Sequence, residues 1–364
     1  MSAPRVEVDL DAIGANAAVL VAMAADRGIG VTAVTKAVLG HPAVARVLVA
    51  AGVAGLGDAR IDNVERLRAG GVDAPIVLVR SPLPSQVDRV VAAATTSCNT
   101  EPEVLTALAG AARAAGVVHG VVVMVELGDL REGVLPEDLP AVARHVGSLP
   151  GLALAGIGAN LACRSGVVPD DRNMAELSAL AGSLEADLGV SLAVVSGGSS
   201  ANLDWLRSTA DVGRIDDLRL GEAIYLGCEP LHRRPVPGLR TDAVRVVAEV
   251  IESRRKPSVP WGRTAEGAFG PPLAVLDQGV RWQTVLAIGE QDTDPAGLVA
   301  PPGVRVLGAS SDHLVVATEG RLAPGTEVAF VPTYAALLRA MAAPSVAVRL
   351  LGERSVPAAP TRPA

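Results

Sequence analysis

Over the first 230 residues, short β-branched runs alternate with longer stretches whose apolar residues recur every three or four positions. The short runs are typical of buried strands and the longer stretches of amphipathic helices. Strands are predicted at 31–36, 53–57, 75–80, 95–99, 120–127, 152–159, 192–197 and 217–225. Helices are predicted between them, including 41–51, 60–70, 101–116, 137–148 and 170–189. Eight strand-then-helix units favour a parallel (β/α)8 barrel, with a doubly wound sheet as the alternative.

The pattern changes after about residue 235. Residues 235–364 are rich in proline and glycine and contain short β-branched runs such as 244–247 and 313–316. These runs are typical of short antiparallel strands. We therefore expect a barrel over 1–234 and a mostly β domain over 235–364, with residues 1–10 free to pair with the β domain.

The composition indicates a folded protein with a sizeable core. Hydrophobic residues make up 49% of the 364 residues and charged residues 20%, which excludes a disordered chain. The net charge of -7 argues against a nucleic-acid partner. Neither a membrane span nor a signal peptide is predicted, so a cytoplasmic protein is expected. Three isolated cysteines form no CxxC pair, and neither a disulfide framework nor a metal site is expected.

Lysine usage singles out one residue. Of 32 basic residues only Lys36 and Lys256 are lysines, so a lysine that persists is a candidate for chemistry that arginine cannot perform. Lys256 lies in the basic run 253–257, which is typical of a solvated surface. Lys36 ends the first predicted strand, where barrels place catalytic groups. There it either extends into solvent, as most such lysines do, or forms a Schiff base.

Other polar residues follow the later predicted strands. The run 196–202, Ser-Gly-Gly-Ser-Ser-Ala-Asn, follows the seventh strand and is typical of either an ordinary turn or a phosphate-binding loop. Arg131 follows the fifth strand, Asn160 follows the sixth, and Arg219 lies in the eighth. A lysine, an anion-binding loop and an arginine in one barrel indicate a site for pyridoxal 5'-phosphate (PLP).

In this order the segments resemble those of fold-type III PLP-dependent enzymes, and within them the alanine/ornithine racemase family. The matching segments are 8–11 with Asn16, 34–36, 127–133, 156–161, 196–202, 218–227 and 308–313. They extend over nearly the whole chain. The resemblance implies an alanine racemase-like fold, in which a (β/α)8 TIM-type barrel is followed by a mostly β C-terminal domain. It also implies PLP as cofactor and an amino-acid racemase, an isomerase, acting on ornithine, lysine or alanine.

The resemblance implies a role for each site residue. Lys36 would hold PLP and act as one acid/base, and Arg131 would support the cofactor hydroxyl or the substrate carboxylate. Asn160 would lie near the ring. Arg219 would face the pyridine nitrogen and, because arginine does not give up its proton, would keep that nitrogen unprotonated. The residues implied for the phosphate are Gly198, Ser199, Ser200, Gly221 and Glu222, the last two through their backbone, and Tyr334.

The sequence departs from typical alanine racemases at three places. No tyrosine closely follows Lys36, Asn160 stands where a histidine is usual, and 287–292 lacks the second catalytic tyrosine. Glu290 is the local replacement. It is interpreted as the second acid/base, as part of a site for a cationic substrate side chain, or as part of a solvated acidic loop. The remaining candidates for that base are Asp312, His313 and Cys163.

The 308–313 match also implies a homodimer in which the β domain of one subunit completes the site of the other, with Asp312 binding substrate. Two other functions stay open. A non-catalytic PLP-binding barrel protein would leave the β domain unexplained. A PLP-dependent lyase or decarboxylase of this fold would need a metal pair or a cysteine near the C-terminus, and beyond Cys228 the chain has no cysteine and only His232 and His313.

Overall fold

The structure is a computed structural model that describes residues 3–270 and 276–352. Within them the chain forms two units, one of residues 11–240 and one of residues 3–10 together with 241–352. We call them the barrel unit and the β unit. The chain begins with strand β1 (Arg5–Asp9), which belongs to the β unit, and then enters the barrel unit.

Eight parallel strands close the barrel unit into a ring, with β9 paired to β2. They are β2 (Gly30–Val34), β3 (Gly55–Asp58), β4 (Ile76–Leu78), β5 (Thr96–Asn99), β6 (His119–Met124), β7 (Leu152–Gly158), β8 (Val194–Ser199) and β9 (Asp217–Leu220). The predicted (β/α)8 barrel is confirmed, and the doubly wound alternative is wrong because the last strand returns to the first.

Helices follow the strands. They are α1 (Leu10–Ala25), α2 (Pro42–Ala50), α3 (Ile61–Ala69), α4 (Val87–Ala93), α5 (Pro102–Ala115), α6 (Leu139–Ser148), α7 (Asp171–Leu188), α8 (Leu203–Ser208) and α9 (Glu222–Leu226). Proline in the first turn starts α2, α5 and α6, where its missing N–H has no intrahelical partner to lose. A reciprocal capping box between Asp170 and Asn173 starts α7. Within the described ranges no helix is long and apolar enough to cross a bilayer.

Side-chain alternation decides which residues face the barrel interior. Gly57 faces inward, since a Cβ there would lie 3.3 Å from Thr32 and 3.5 Å from Val34. Deeper in the ring, Cys98, Val122 and Met124 pack together. Residues that alternate with these positions face the surrounding helices.

The β unit is built on an eight-stranded sheet with the order β12-β15-β10-β11-β14-β13, and β1 pairs with β10 and with β16. Its remaining elements are β10 (Val244–Pro257), β11 (Val280–Leu286), β12 (Leu298–Val299), β13 (Val304–Ala309), β14 (Leu314–Thr318), β15 (Glu327–Pro332), α10 (Tyr334–Ala342) and β16 (Ala347–Leu351). The pairs are antiparallel except β1 with β16. The mostly β second domain is thus confirmed, with one helix, α10, that the sequence pattern did not predict.

Two boundaries differ from the sequence prediction. The units divide between Arg240 and Thr241 rather than after residue 234. The Asn16 side chain, on α1, donates to the carbonyl of Arg240 at 2.9 Å and accepts from its N–H at 2.7 Å, which keeps 235–240 with the barrel. The last barrel strand ends at Leu220 instead of 225, so Tyr225 lies in α9.

Candidate active site

Lys36 lies two residues beyond the end of β2, at the carboxyl end of the barrel, and is half-buried. It opens a short 3-10 turn that closes when the N–H of Leu39 donates to the Lys36 carbonyl at 3.2 Å. The preceding Thr35 is fully buried, and its hydroxyl donates to Asp58 at 2.7 Å. Lys36 therefore extends from a backbone segment that is fixed on its strand side.

Asp58 is the anchor of that segment, and the sequence reading missed it. Its fully buried carboxylate also accepts from the Arg60 N–H at 2.9 Å and from the Asn63 amide at 3.0 Å. Burial raises the pKa of Asp58, and these hydrogen bonds act in the opposite direction. Because Gly57 faces inward, Asp58 faces the helices and fixes Thr35 from outside the ring. A polar residue ending a β-strand was the available signal.

The 196–202 run forms the end of β8 and a single 3-10 turn. Gly198 has φ +145, and a Cβ there would overlap the Asn202 side chain, so glycine is required. The buried Ser200 hydroxyl accepts from the N–H groups of Gly221 at 3.3 Å and Ala223 at 3.2 Å. Both of its lone pairs are used, and no acceptor among the described residues takes its proton, so the hydroxyl can still donate. The loop thus joins β8 to the turn after β9.

Arg219 lies inside the ring, only 7% exposed. Its guanidinium donates to the Ala159 carbonyl at 2.6 Å and to the Ser196 hydroxyl. Ser196 in turn donates to Asp217, which also accepts from Thr32 at 2.6 Å. This chain of four side chains is the Arg219 network. Arg219 is therefore not a surface arginine, and its partners Ser196 and Asp217 were not identified from the sequence.

Asn160 directly follows Ala159, whose carbonyl accepts a hydrogen bond from Arg219. Its side-chain nitrogen is buried, and among the described residues it has no hydrogen-bond partner. A buried N–H group without an acceptor is costly and marks a place where a ligand atom is expected.

Arg131 is engaged by its neighbour Glu132. Its Nη2 donates to Glu132 Oε1 at 2.5 Å, and its Nε contacts the second oxygen. Burial disfavours the charged Arg131, but the Glu132 carboxylate outweighs it and raises the Arg131 pKa. Burial raises the pKa of the interior Cys98 thiol to about 11, and the charges of Arg219 and Arg131 act in the opposite direction. The charges of both arginines thus act on the barrel interior. Glu132, which competes for Arg131, was missed.

Glu222 begins α9, immediately beyond β9. Burial raises the pKa of its carboxyl, and the charges of Arg233 and Lys36 act in the opposite direction. The sequence assigned this residue only a backbone role, yet its side chain shares the barrel mouth with Lys36.

The β unit carries the other three predicted site residues. Tyr334 is the first residue of α10. Glu290 and Asp312 lie on two loops in close contact, where the Glu290 N–H donates to the Ser310 carbonyl at 3.0 Å. Asp312 is exposed, and hydrogen bonds from Ser311 and His313 lower its pKa.

The acidic cluster predicted around Glu290 already has a cationic neighbour. Arg339 Nη1 lies 3.9 Å from both Glu290 and Asp294. Asp292 is buried and accepts from the Gly289 N–H at 2.9 Å and from Ser345. Asp292 is therefore a buried, hydrogen-bonded part of this loop and not a solvated one.

A parallel barrel with a lysine, an inward arginine and a serine-glycine loop at the carboxyl ends of its strands, followed by a β unit, has the architecture of the fold-type III PLP enzymes. Residues 8–229 match the family model of the alanine racemase N-terminal domain. The chain belongs to this family.

Two relatives and one solved structure agree with this family assignment. The lysine racemase of Thermotoga maritima is 36% identical over 346 residues, covering 94% of this chain and 97% of the relative. The ornithine racemase of Acetoanaerobium sticklandii is 33% identical over 315 residues, covering 86% and 89%. The solved alanine racemase of Streptomyces coelicolor A3(2) has the same fold, with a TM-score of 0.74 at 24% identity over 96% of this chain and 98% of that one.

Proposed function

We propose that the protein is a PLP-dependent racemase that interconverts the L and D forms of a basic amino acid such as lysine or ornithine. Racemisation follows from the family and from the two relatives, which are a lysine and an ornithine racemase. The family and these relatives favour a racemase over a lyase, a decarboxylase or a non-catalytic PLP-binding protein. The observation that carries the site assignment is Lys36, half-buried at the carboxyl end of β2.

The residues around Lys36 fit PLP. The unpaired buried amide of Asn160 needs an acceptor, and the free proton of Ser200 needs another. PLP offers acceptors in its phosphate, its hydroxyl and its ring nitrogen. Gly198 allows close approach of a ligand to the backbone, because no Cβ covers it.

When bound, PLP supplies an electron sink that stabilises the negative charge left when an amino acid loses its Cα proton. Lys36 would hold the cofactor through its amine and move a proton at Nζ on one face of the substrate. Arg219, fixed by Ala159 and Ser196, would present a donor that does not lose its proton at neutral pH. It would therefore keep the electron sink weak, which favours proton return over side reactions.

The remaining roles are proposals of the same kind. Arg131 would have to exchange Glu132 for a cofactor or substrate oxygen. Tyr334 would contact the phosphate, and Glu290 remains the candidate for the second acid/base. A homodimer whose second subunit contributes Asp312, and a cytoplasmic location, also remain proposals.

A panel of L-amino acids tests this function. The protein with PLP is incubated in D2O with lysine, ornithine and alanine, and products are separated by chiral chromatography. We expect both enantiomers, deuterium at Cα, and faster turnover of lysine or ornithine than of alanine. Lys36→Arg should abolish turnover and the covalent attachment of PLP that borohydride reduction reveals by mass. Full activity in Lys36→Arg, or no racemisation of any amino acid, would overturn the proposal.

A further inference from the structure

The chain on both sides of Glu222 is held against the segment that carries Lys36. Gly221 packs on Val34, since a Cβ there would lie 3.2 Å from the Val34 Cβ. The Tyr225 hydroxyl, one turn along α9, donates to the Val34 carbonyl at 3.0 Å. Val34 is two residues before Lys36. These contacts fix the start of α9, and with it Glu222, beside the lysine.

The Glu222 carboxylate is poorly compensated where it lies. Its side chain is 16% exposed, and Arg233 Nη1 is 3.8 Å from it, too far for a hydrogen bond. Arg233 is itself 60% exposed. Among the described residues no donor makes a hydrogen bond to this carboxylate. A mostly buried carboxylate without donors is costly, so a cation that reaches it is bound favourably.

The proposed proton transfer removes the charge of one of its two cationic neighbours. To accept the Cα proton of the substrate, Lys36 Nζ must be an uncharged amine, so Glu222 then keeps only the 3.8 Å contact with Arg233. A basic substrate held next to Lys36 would bring its side-chain ammonium to the same mouth of the barrel. By contrast, Glu290 and Asp294 share Arg339 within the β unit.

We infer that the Glu222 carboxylate binds the side-chain ammonium of the substrate and thereby selects basic amino acids. This inference rests on the proposed racemase function. It assigns to the Glu222 side chain a recognition role separate from any phosphate contact of its backbone N–H.

The test compares lysine with 2-aminoheptanoate, in which a methyl group replaces the ammonium. Racemisation of both substrates is measured for the wild type, Glu222→Gln and the matched control Glu65→Gln. Glu65 lies on the outer helix α3 and pairs with Arg89 of α4. The wild type should prefer lysine. Glu222→Gln should reduce kcat/KM for lysine about tenfold to a hundredfold, mostly through KM, and leave 2-aminoheptanoate within about threefold. PLP affinity, measured by equilibrium dialysis, should be unchanged in Glu222→Gln, and Glu65→Gln should match the wild type.

Equal losses for both substrates in Glu222→Gln would overturn the inference and indicate a role toward Lys36 or the cofactor. Absence of racemisation in the wild type would instead remove the proposed function. If Glu222→Gln fails to fold, Glu222→Asp is tested instead. This variant keeps the negative charge on a side chain that is one methylene shorter. It should then raise the lysine-to-ornithine ratio of kcat/KM several-fold, and an unchanged ratio would overturn the inference.

Discussion

Replacing Asp217 by asparagine should destabilise the barrel unit because it removes the only carboxylate of the Arg219 network. Asp217 is 8% exposed and Arg219 is 7% exposed, so water cannot readily compensate the guanidinium. Asparagine keeps the shape and one acceptor oxygen, and the loss is therefore that of one hydrogen bond to a charged group, about 2–3 kcal/mol. For a unit of this size that corresponds to a fall in Tm of roughly 4–12 °C.

The assay is thermal unfolding followed by circular dichroism, with and without PLP. Asp187→Asn is the matched control, because its ion pair with Arg144 is exposed on both sides and should change stability by less than about 0.5 kcal/mol. In an Arg219→Gln background, Asp217→Asn should cost about 1–2 kcal/mol less, since no buried cation is then left unpaired. Additive effects within about 0.5 kcal/mol, or equal Tm values for Asp217→Asn and its control, would refute the coupling.

Three further perturbations test the site, the barrel interior and the proposed homodimer. Arg219→Glu should let the cofactor nitrogen protonate, and a higher ratio of transamination product to racemised product would show it; an unchanged ratio would mean that Arg219 does not face that nitrogen. Burial lowers the pKa of His119 to about 4, so the unfolded chain takes up this proton near pH 6.5 and the folded chain does not. Stability should therefore fall by about 3 kcal/mol between pH 6.5 and 4, and His119→Gln should flatten that part of a Tm-against-pH curve. Mixing Lys36→Ala chains with Asp312→Ala chains should restore some activity in heterodimers, and its absence from verified mixed dimers would argue against a shared site.

Sequence periodicity was sufficient for the barrel but not for the contacts inside it. Strand and helix positions repeat along the chain, and Pro42 and Pro102 mark helix starts that can be recognised without a structure. Helix α1 was not predicted, because its apolar residues occur on all sides of the helix and form no stripe. The strand predicted through residue 225 ends early because Gly221 interrupts it and Glu222 begins α9.

The site could be predicted only as far as single residues carry a signal. Lys36 stood out by rarity and Ser200 by its glycine-serine context. The hydrogen-bond partners were not predictable, since Thr35 meets Asp58 and Ser196 meets Asp217 only when neighbouring strands pair in register. The side-chain roles of Glu132 and Glu222 were missed for another reason, because in a linear sequence a charged residue in a loop is most simply a solvated one.

The pairing of β1 with β10 and β16 makes the barrel unit an insertion within the β unit. On the ribosome, β1 is synthesised first, and its last partner follows after more than 330 residues, which takes roughly 20–70 s at ordinary elongation rates. The barrel unit has all its strands before the β unit has its sheet, so it can fold while β1 still lacks both neighbours. Loss of strand β1 would thus affect the β unit first. A circular permutation that links the segment after β16 to β1 and opens the chain between Arg240 and Thr241 would let each unit fold from one continuous stretch of chain.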